Sequence, residues 1–490
     1  MELIATYLPG AMLNAKIIHQ LPLALPEIFL LIMASIILVV DLFLSDKSRG
    51  TTYILSQATL VGLILLTVMT FTQKPQLAFA GTYIRDGMGD LLKVFVYIAT
   101  FTVFMYSKTY LKQRDMYQGE YFVLGLFGVL GMMVLISAHN FLTVYLGLEL
   151  LSLCMYAMVA MQRDSTVASE SAMKYFVLGA IASGMLLYGM SMIYGATGSL
   201  DLGVIGKVVA AKHNNIILIF GLVFLIVGIA FKLGAVPFHM WLPDVYQGSP
   251  TAVTIYIGSA PKLAAFAMTM RLLVDGMAHL HVQWQDILII LAVVSMAVGN
   301  IVAIAQTNIK RMLAYSTISH VGFILLGILS GTTAGYAASL FYTIIYTVMA
   351  LGAFGIILLM SRLGYESDQL DDLRGLNQRS PWFAFIMLIF MFSMAGVPPF
   401  VGFWAKLSVL KAVVSIDLVW LAIVAVAFSV IGAFYYLRIV KLMYFDTPQD
   451  TSGLEAPKDM RILLSVNGLS VLALGLRPDI LLALCVGVVT

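Results

Sequence analysis

The stretch GIAFKLGAVPFHMW, residues 228–241, lies in a long apolar run and places Lys232 five residues before Pro237. A proline inside a helical pattern ends or kinks the helix. Ionisable side chains are costly at the centre of a membrane, and where they occur there they mark functional positions. The stretch therefore predicts a broken membrane helix that carries a functional cation.

The composition of the whole chain is that of a membrane protein. Of its 490 residues, 61% are hydrophobic and 11% are charged, whereas soluble domains carry roughly 25% charged residues. Apolar runs of about 18 or more residues recur and are typical of spanning helices, so we predict an all-α polytopic membrane protein with about fourteen transmembrane helices. The predicted spans are 23–44, 52–72, 91–110, 121–137, 140–161, 172–195, 215–239, 251–274, 285–305, 312–330, 333–361, 382–414, 418–440 and 462–486.

A second predicted break lies in AGVPPFVGFW, residues 395–404, at Pro398 and Pro399. Like the first break, it has a Val-Pro pair within an apolar helix and an aromatic residue after it. Paired interrupted helices in the two halves of a chain indicate a transport site near the middle of the membrane.

Four ionisable residues lie deep in predicted spans: Glu149, Lys232, Lys262 and Lys406. A lysine with an ordinary pKa near 10.4 holds its proton too tightly to relay it at neutral pH. Burial lowers the pKa of a lysine, and a nearby carboxylate raises it. We hypothesise that Glu149 pairs with Lys232 in one state and that opening this pair sends a proton toward Lys262. The alternative is a static buried ion pair.

Four further residues have weaker indications. His239 and His320 are candidate relays, because a neutral histidine can bridge two partners and titrates near pH 6.5; the alternative is an ordinary hydrogen-bonding role. Lys93 lies near a segment end, where it can extend its ammonium to the interface. Lys174 follows Glu170 at the i,i+4 spacing of a helical ion pair.

Several function classes are excluded by the sequence. The net charge of +3 does not indicate nucleic-acid binding, and Cys154 and Cys485 lie in apolar segments without disulfide or metal spacing. Neither a phosphate-binding loop nor a dinucleotide fingerprint is present. Any energy for transport is therefore expected from an ion gradient or from a partner.

Lysine and arginine are more frequent in one set of alternate loops, which includes Lys47, Lys310 and Arg311, than in the other, which includes Lys16 and Lys212. By the positive-inside rule the first set is cytoplasmic, and both termini then face outward. The first apolar helix, 23–44, is longer than the core of a signal peptide, so we do not expect it to be cleaved.

Nearly the whole chain resembles the antiporter-like membrane subunits of respiratory complex I, the bacterial NADH-quinone oxidoreductase. The motifs that carry this resemblance are FKLGAVPFHMWLPDVYQGSPTAVT (231–254), QTNIKRMLAYSTISHVGF (306–323), LGLELLSL (146–153) and DDLRGL (371–376). The run after the first break differs from that of subunits L and M and of multisubunit sodium/proton antiporters. Since the chain ends soon after the last predicted span, we do not expect the long lateral helix of subunit L.

The resemblance implies one integral membrane domain, 1–490, with two inverted five-helix repeats. Their bounds would be about 121–275 and 285–440, between N-terminal helices (1–120) and a C-terminal helix (441–490). It also implies proton translocation driven by quinone reduction in partner subunits. The family's proton-relay residues match Glu149, Lys232, Lys262 and Lys406.

The resemblance implies no cofactor in this chain, with NADH, FMN, iron–sulfur clusters and quinone in partner subunits. The implied partners are subunits M, J and K and membrane lipids, in the bacterial inner membrane. Two alternatives stay open: a subunit of a multisubunit sodium/proton antiporter, and a structural membrane subunit that does not conduct.

Overall fold

The computed structural model describes residues 19–45, 48–211, 215–448, 453–454 and 456–489. Within these residues, thirteen helices are long and apolar enough to cross a membrane. The broken helix around Pro398 accounts for the fourteenth predicted span, so the prediction of an all-α polytopic membrane protein is confirmed. Lys16, Lys47 and Lys212, which entered the orientation argument, lie outside the described residues.

The helices are numbered in chain order. They are α1 Leu25–Asp41, α2 Gly50–Met69, α3 Gly87–Gln113, α4 Gly119–Ile136, α5 Phe141–Val159, α6 Thr166–Thr197, α7 Leu202–Ala211, α8 Ile216–Leu233, α9 Trp241–Gly248, α10 Thr251–Gly258, α11 Ala260–Thr269, α12 His281–Ile304, α13 Ile309–Leu329, α14 Thr333–Met360, α15 Leu376–Arg379, α16 Pro381–Ala395, α17 Val401–Val414, α18 Val419–Phe445, α19 Lys458–Leu476 and α20 Pro478–Val489. Short 3-10 turns lie at Leu21–Ala24, Ala278–Leu280 and Leu370–Leu373, and a π-helical segment at Met270–Asp275 follows α11.

Two features differ from the predicted elements. The last predicted span, 462–486, consists of two helices, α19 and α20, because Arg477 leaves the helical conformation and Pro478 begins the second helix. An antiparallel hairpin of strands β1 Gln76–Ala78 and β2 Tyr83–Arg85 joins α2 to α3. Strands of three residues are too short for a hydrophobic pattern to identify.

Small residues allow neighbouring helices to pack closely. Gly131 of α4 faces α5 and Gly147 of α5 faces α4, and a Cβ atom on either would lie 2.6 Å from a backbone nitrogen of the other helix. Such contacts are common in membrane helices, where van der Waals packing contributes strongly to association. They hold α4 against α5, the helix that carries Glu149.

The centre of the protein consists of the spans Thr251–Asp275, Ile309–Leu329 and Thr333–Met360, which are almost entirely buried. The first carries Lys262 and the second carries His320. The fold therefore places two of the predicted relay residues on its most buried helices. The inverted relation between the two groups of five helices, and their bounds, stay predictions.

The sequence predicted that Lys93 can extend its ammonium to the membrane interface, but the structure places this ammonium inside the protein. The ammonium is fully buried, lies 2.6 Å from a carboxylate oxygen of Glu27 and donates to the hydroxyl of Tyr83. Glu27 on α1 pairs with this ammonium and offsets the free-energy cost of burying its charge. A partner so far away in the chain cannot be identified from the local sequence. The predicted pair of Lys174 with Glu170 is confirmed at 2.8 Å.

Candidate functional site

The first helix break lies between α8 and α9, as predicted from Pro237. α8 ends at Leu233 because Gly234 adopts a left-handed conformation, with φ +84°. This conformation suits glycine at a helix end. The amide of Ala235 donates back to the carbonyl of Ala230, but the last helical carbonyl, that of Leu233, is left without a helical partner.

The second break, between α16 and α17, repeats this backbone arrangement. α16 ends at Ala395, Gly396 has φ +90°, and the amide of Val397 donates to the carbonyl of Phe392. Both breaks also contain a cis X-Pro peptide bond, at Val236–Pro237 and Pro398–Pro399. The similarity seen in the two sequence motifs therefore extends to the backbone.

A lysine ammonium binds the freed carbonyl at each break. Lys262 Nζ donates to the carbonyl oxygen of Leu233 at 2.8 Å, and Lys406 Nζ donates to that of Ala395 at 3.0 Å. Such hydrogen bonds satisfy both the carbonyl and the cation inside an apolar medium, where an unpaired polar group is expensive. Lys262 comes from the neighbouring helix α11, whereas Lys406 lies on the second half of its own broken helix.

Lys232 has a different environment, although it lies on α8 just before the break. Its ammonium donates to the hydroxyl of Ser152 on α5 at 2.9 Å. Glu149 is one helical turn before Ser152, and its buried Oε1 atom has no hydrogen-bond partner among the described residues. The structure therefore brings Glu149 and Lys232 to the same side of α5 without an ion pair between them, which corresponds to the open state of the hypothesised switch.

His320 lies in a network of tyrosines on the buried helices. Its Nδ1 atom is 2.7 Å from the hydroxyl of Tyr342, and its Nε2 atom is 3.1 Å from that of Tyr436. The ring of Tyr342 stacks on Phe323, and Lys406 Nζ lies 5.1 Å from the centre of that phenyl ring. The histidine is thus connected to the cation of the second break through two aromatic side chains.

His239 lies at the first break but has fewer side-chain hydrogen-bond partners than His320. Its ring is half-buried, and Nδ1 has no hydrogen-bond partner within the described part of the chain. The structure therefore brings Lys232, Lys262 and His239 together around the first break, and Lys406 and His320 near the second. In the described ranges, no group of three His, Cys, Asp or Glu side chains could hold a metal ion.

Sequence reasoning missed two buried cations. Lys310 was assigned to a loop, and Arg271 was counted with the loop charges although it lies near the end of the predicted span 251–274. Lys310, the second residue of α13, is 2% exposed, and Arg271, in the π-helical segment, is also 2% exposed. Arg271 forms an ion pair with Asp86 at 2.7 Å, and Lys310 lies 3.8 Å from Glu366. The adjacent lysine and arginine of QTNIKRML can be seen in the sequence, but only the tertiary contacts show that Lys310 points inward.

Comparison with known proteins identifies the family. The family described as NADH:quinone oxidoreductase/Mrp antiporter, TM, matches residues 138–432, more than half of the chain and both helix breaks. The chain belongs to this family.

Relatives and solved structures of the antiporter-like family agree over nearly the full length. The chain is 62% identical to NADH-quinone oxidoreductase subunit N of Thioalkalivibrio sulfidiphilus over 468 residues, which cover 95% of this chain and 98% of the relative. A chain of respiratory complex I from Thermus thermophilus superimposes with a TM-score of 0.81 at 30% identity, covering 94% of this chain and 98% of that one.

A chain of the Mrp complex from Dietzia matches with a TM-score of 0.83 at 21% identity, covering 96% of this chain and 97% of that one. This last likeness shows the fold alone. Together the comparisons confirm the resemblance predicted from the sequence motifs.

Proposed function

We propose that this chain is a proton-translocating membrane subunit of a bacterial NADH-quinone oxidoreductase, of the kind called subunit N. The support is the high identity to subunit N over almost the whole chain and the placement of buried cations at two helix breaks. Redox chemistry belongs to other subunits in this proposal, which places NADH, FMN, iron–sulfur clusters and quinone outside this chain.

The observation that carries the mechanism is the open arrangement of Glu149, Ser152 and Lys232. When Lys232 leaves Ser152 and approaches Glu149, the ion pair favours its charged form, because an opposite charge stabilises an ammonium. When the pair opens, the buried ammonium loses that stabilisation and releases its proton inward. The amine that remains can take up the next proton, so the pair acts as a switch.

Lys262 is the proposed next carrier. Its ammonium binds the carbonyl of Leu233, the residue directly after Lys232, so the two cations share one helix end and repel each other. Transfer continues toward Lys406, with His320 as a relay through its tyrosine network. His239 is a second candidate relay, which can admit protons where α8 is interrupted.

The drive for this cycle is proposed to come from quinone reduction in partner subunits, transmitted through neighbouring membrane subunits M, J and K. The chain would lie in the bacterial inner membrane, with both termini on the periplasmic side. Residues 121–275 and 285–440 would form the two inverted repeats, one around each break.

Replacing Lys232 with alanine tests the proposal. We expect complexes with Lys232→Ala to assemble but to pump protons about 100-fold more slowly, because a positioned proton carrier has been removed. The matched control is Lys441→Ala, since Lys441 is a largely exposed lysine of α18 whose nearest carboxylate, Asp446, lies 4.0 Å away, and such surface pairs contribute little to stability. Proton uptake driven by NADH in inside-out vesicles measures the effect.

Undiminished pumping per electron in the Lys232→Ala complex would contradict the role of Lys232. Sodium-dependent proton exchange by the isolated chain in liposomes would instead favour an antiporter that needs no redox partner. If the combined replacement of Glu149, Lys232, Lys262 and Lys406 left pumping intact, the chain would be a structural subunit.

A further inference from the structure

Lys310 is a buried cation that the relay described above does not use. Its ammonium donates to the backbone carbonyl of Ser249 at 3.0 Å and lies 3.8 Å from Oε1 of Glu366. The side chain is 2% exposed. It lies on α13, ten residues before His320, which corresponds to about 15 Å along the helix.

Glu366 connects this buried lysine to the protein surface. Its carboxylate accepts hydrogen bonds from Tyr110 at 3.0 Å, from Arg114 at 2.9 Å and from the hydroxyl of Thr251. The side chain is 29% exposed. It lines an open surface cavity of about 520 Å³, which also reaches Lys310. One carboxylate thus touches both solvent and a buried cation, on the side that the loop charges predict to be cytoplasmic.

Polar groups continue inward from Lys310. Ser249 and Thr254 share a hydrogen bond of 2.9 Å between their hydroxyls. Tyr246 lies on α9, which packs against α13; the residue is fully buried, and its hydroxyl has no partner among the residues described. Thr317 of α13 lies 2.7 Å from the hydroxyl of Tyr346, one turn before His320. These groups can hydrogen-bond to water between Lys310 and the relay.

We propose that Glu366 and Lys310 form the port through which protons are taken up from the cytoplasmic side. A proton from water in the cavity binds the Glu366 carboxylate and gives the acid. The acid transfers that proton through one water molecule to the neutral amine of Lys310, 3.8 Å away, which restores the carboxylate and gives the ammonium. Lys310 then gives the proton to a water molecule on its inner side, so both groups return to their starting forms.

This inference rests on the proposed function, and its test uses the assembled complex in inside-out vesicles, where the cytoplasmic side faces the medium. Glu366→Gln keeps the shape of the side chain but cannot carry a proton, so we expect the rate of pumping per complex to fall by about 100-fold. Glu366→Asp keeps a carboxylate and should retain most of the rate. Glu170→Gln is the matched control, because Glu170 is an exposed glutamate that pairs with Lys174.

Chemical rescue separates proton uptake from a structural role. Glu366→Ala leaves the place of the carboxylate empty, and added formate, a carboxylate small enough for that space, should restore most of the NADH-driven quinone reduction lost in this variant. It should not rescue Lys310→Met, because formate cannot replace the amine of Lys310, which is buried behind Glu366. A wild-type rate in Glu366→Gln or in Lys310→Met, or a slow Glu366→Ala complex that formate leaves unchanged, would overturn the proposal.

Lys262→Ala, measured in the same vesicles, distinguishes the two hypotheses. If Lys262→Ala is slow while Glu366→Gln is normal, the port is wrong and the central relay stands. If Lys262→Ala pumps normally, the relay itself is wrong.

Discussion

The two helix breaks have the same backbone geometry but hold their cations differently. At the second break, Lys406 has two acceptors, the carbonyl of Ala395 at 3.0 Å and the hydroxyl of Ser429 at 2.8 Å. At the first break, two cations flank the interruption. Lys262 donates to the carbonyl of Leu233, and Lys232 donates to the hydroxyl of Ser152.

The difference suggests a division of roles. Lys406 is held in one position by two hydrogen bonds from the same ammonium. Lys232 is held by one hydroxyl, and an oxygen of Glu149 without a hydrogen-bond partner lies one turn away along α5. The first break therefore offers its cation a choice of partners, whereas the second fixes its cation, and we expect the first to be the switch.

The largest effect is expected from removing the cation that binds the carbonyl at either break. Lys262→Met and Lys406→Met keep a similar side-chain length but remove the proton carrier, so pumping should fall by about 100-fold. Each change also leaves a buried carbonyl unsatisfied, at a cost of about 1–3 kcal/mol. Proton uptake per assembled complex in inside-out vesicles is the measurement.

The control for these variants is Lys441→Met, because Lys441 is a largely exposed lysine of α18. A pumping rate equal to that of the control in Lys406→Met would show that the second break is not part of the path. The same result in Lys262→Met would remove the first break from it.

A smaller and unequal effect is expected when the hydroxyl acceptors are removed. Ser152→Ala takes away the hydroxyl that holds Lys232 away from Glu149, so the ion pair should close and pumping should slow by roughly tenfold, the equivalent of one charged hydrogen bond. Ser429→Ala leaves Lys406 its bond to Ala395 and should slow pumping by only about twofold.

Initial rates of pumping for the two serine variants, measured side by side, test the asymmetry. Equal losses in both would contradict the division of roles. A greater loss in Ser429→Ala would reverse it and make the second break the switch.

Much of this comparison could be predicted from the sequence. The breaks follow from local chemistry, since proline and glycine inside an apolar run interrupt a helix wherever it packs. The depth of Glu149, Lys262 and Lys406 follows from counting along their spans. These features depend on residues within one turn or one span of each other, which is the range over which sequence patterns are informative.

The acceptors of the lysines could not be predicted, because they depend on how distant helices pack. Ser152 lies 80 residues from Lys232 along the chain. Lys93 appeared free to reach the interface because its partner, Glu27, is on another helix. Lys310 was assigned to a loop because the predicted span began at residue 312, three residues after the start of α13 at Ile309. A shift of that size decides whether a cation at a helix end is counted as buried.

Effects smaller than that of Ser152→Ala are expected from adding a methyl group at the two left-handed glycines. Both Gly234→Ala and Gly396→Ala should destabilise the chain by about 1–2 kcal/mol, because an L-residue is strained at positive φ. Their effects on pumping should differ. A Cβ at Gly396 would lie 2.9 Å from Cδ of Lys406 and must displace that side chain, whereas a Cβ at Gly234 would lie 2.5 Å from the end of Leu242 and 3.7 Å from Lys262 Nζ.

Gly396→Ala should therefore slow pumping a few-fold, since a misplaced carrier transfers protons less efficiently, while Gly234→Ala should lower only the melting temperature. Thermal melting of the purified complex and pumping per complex together measure both effects. If Gly234→Ala slowed pumping as much as Gly396→Ala at equal stability, the first break would be as rigidly constrained as the second. The freedom of Lys232 to change partners would then have to come from movement of α5, because α8 could not supply it.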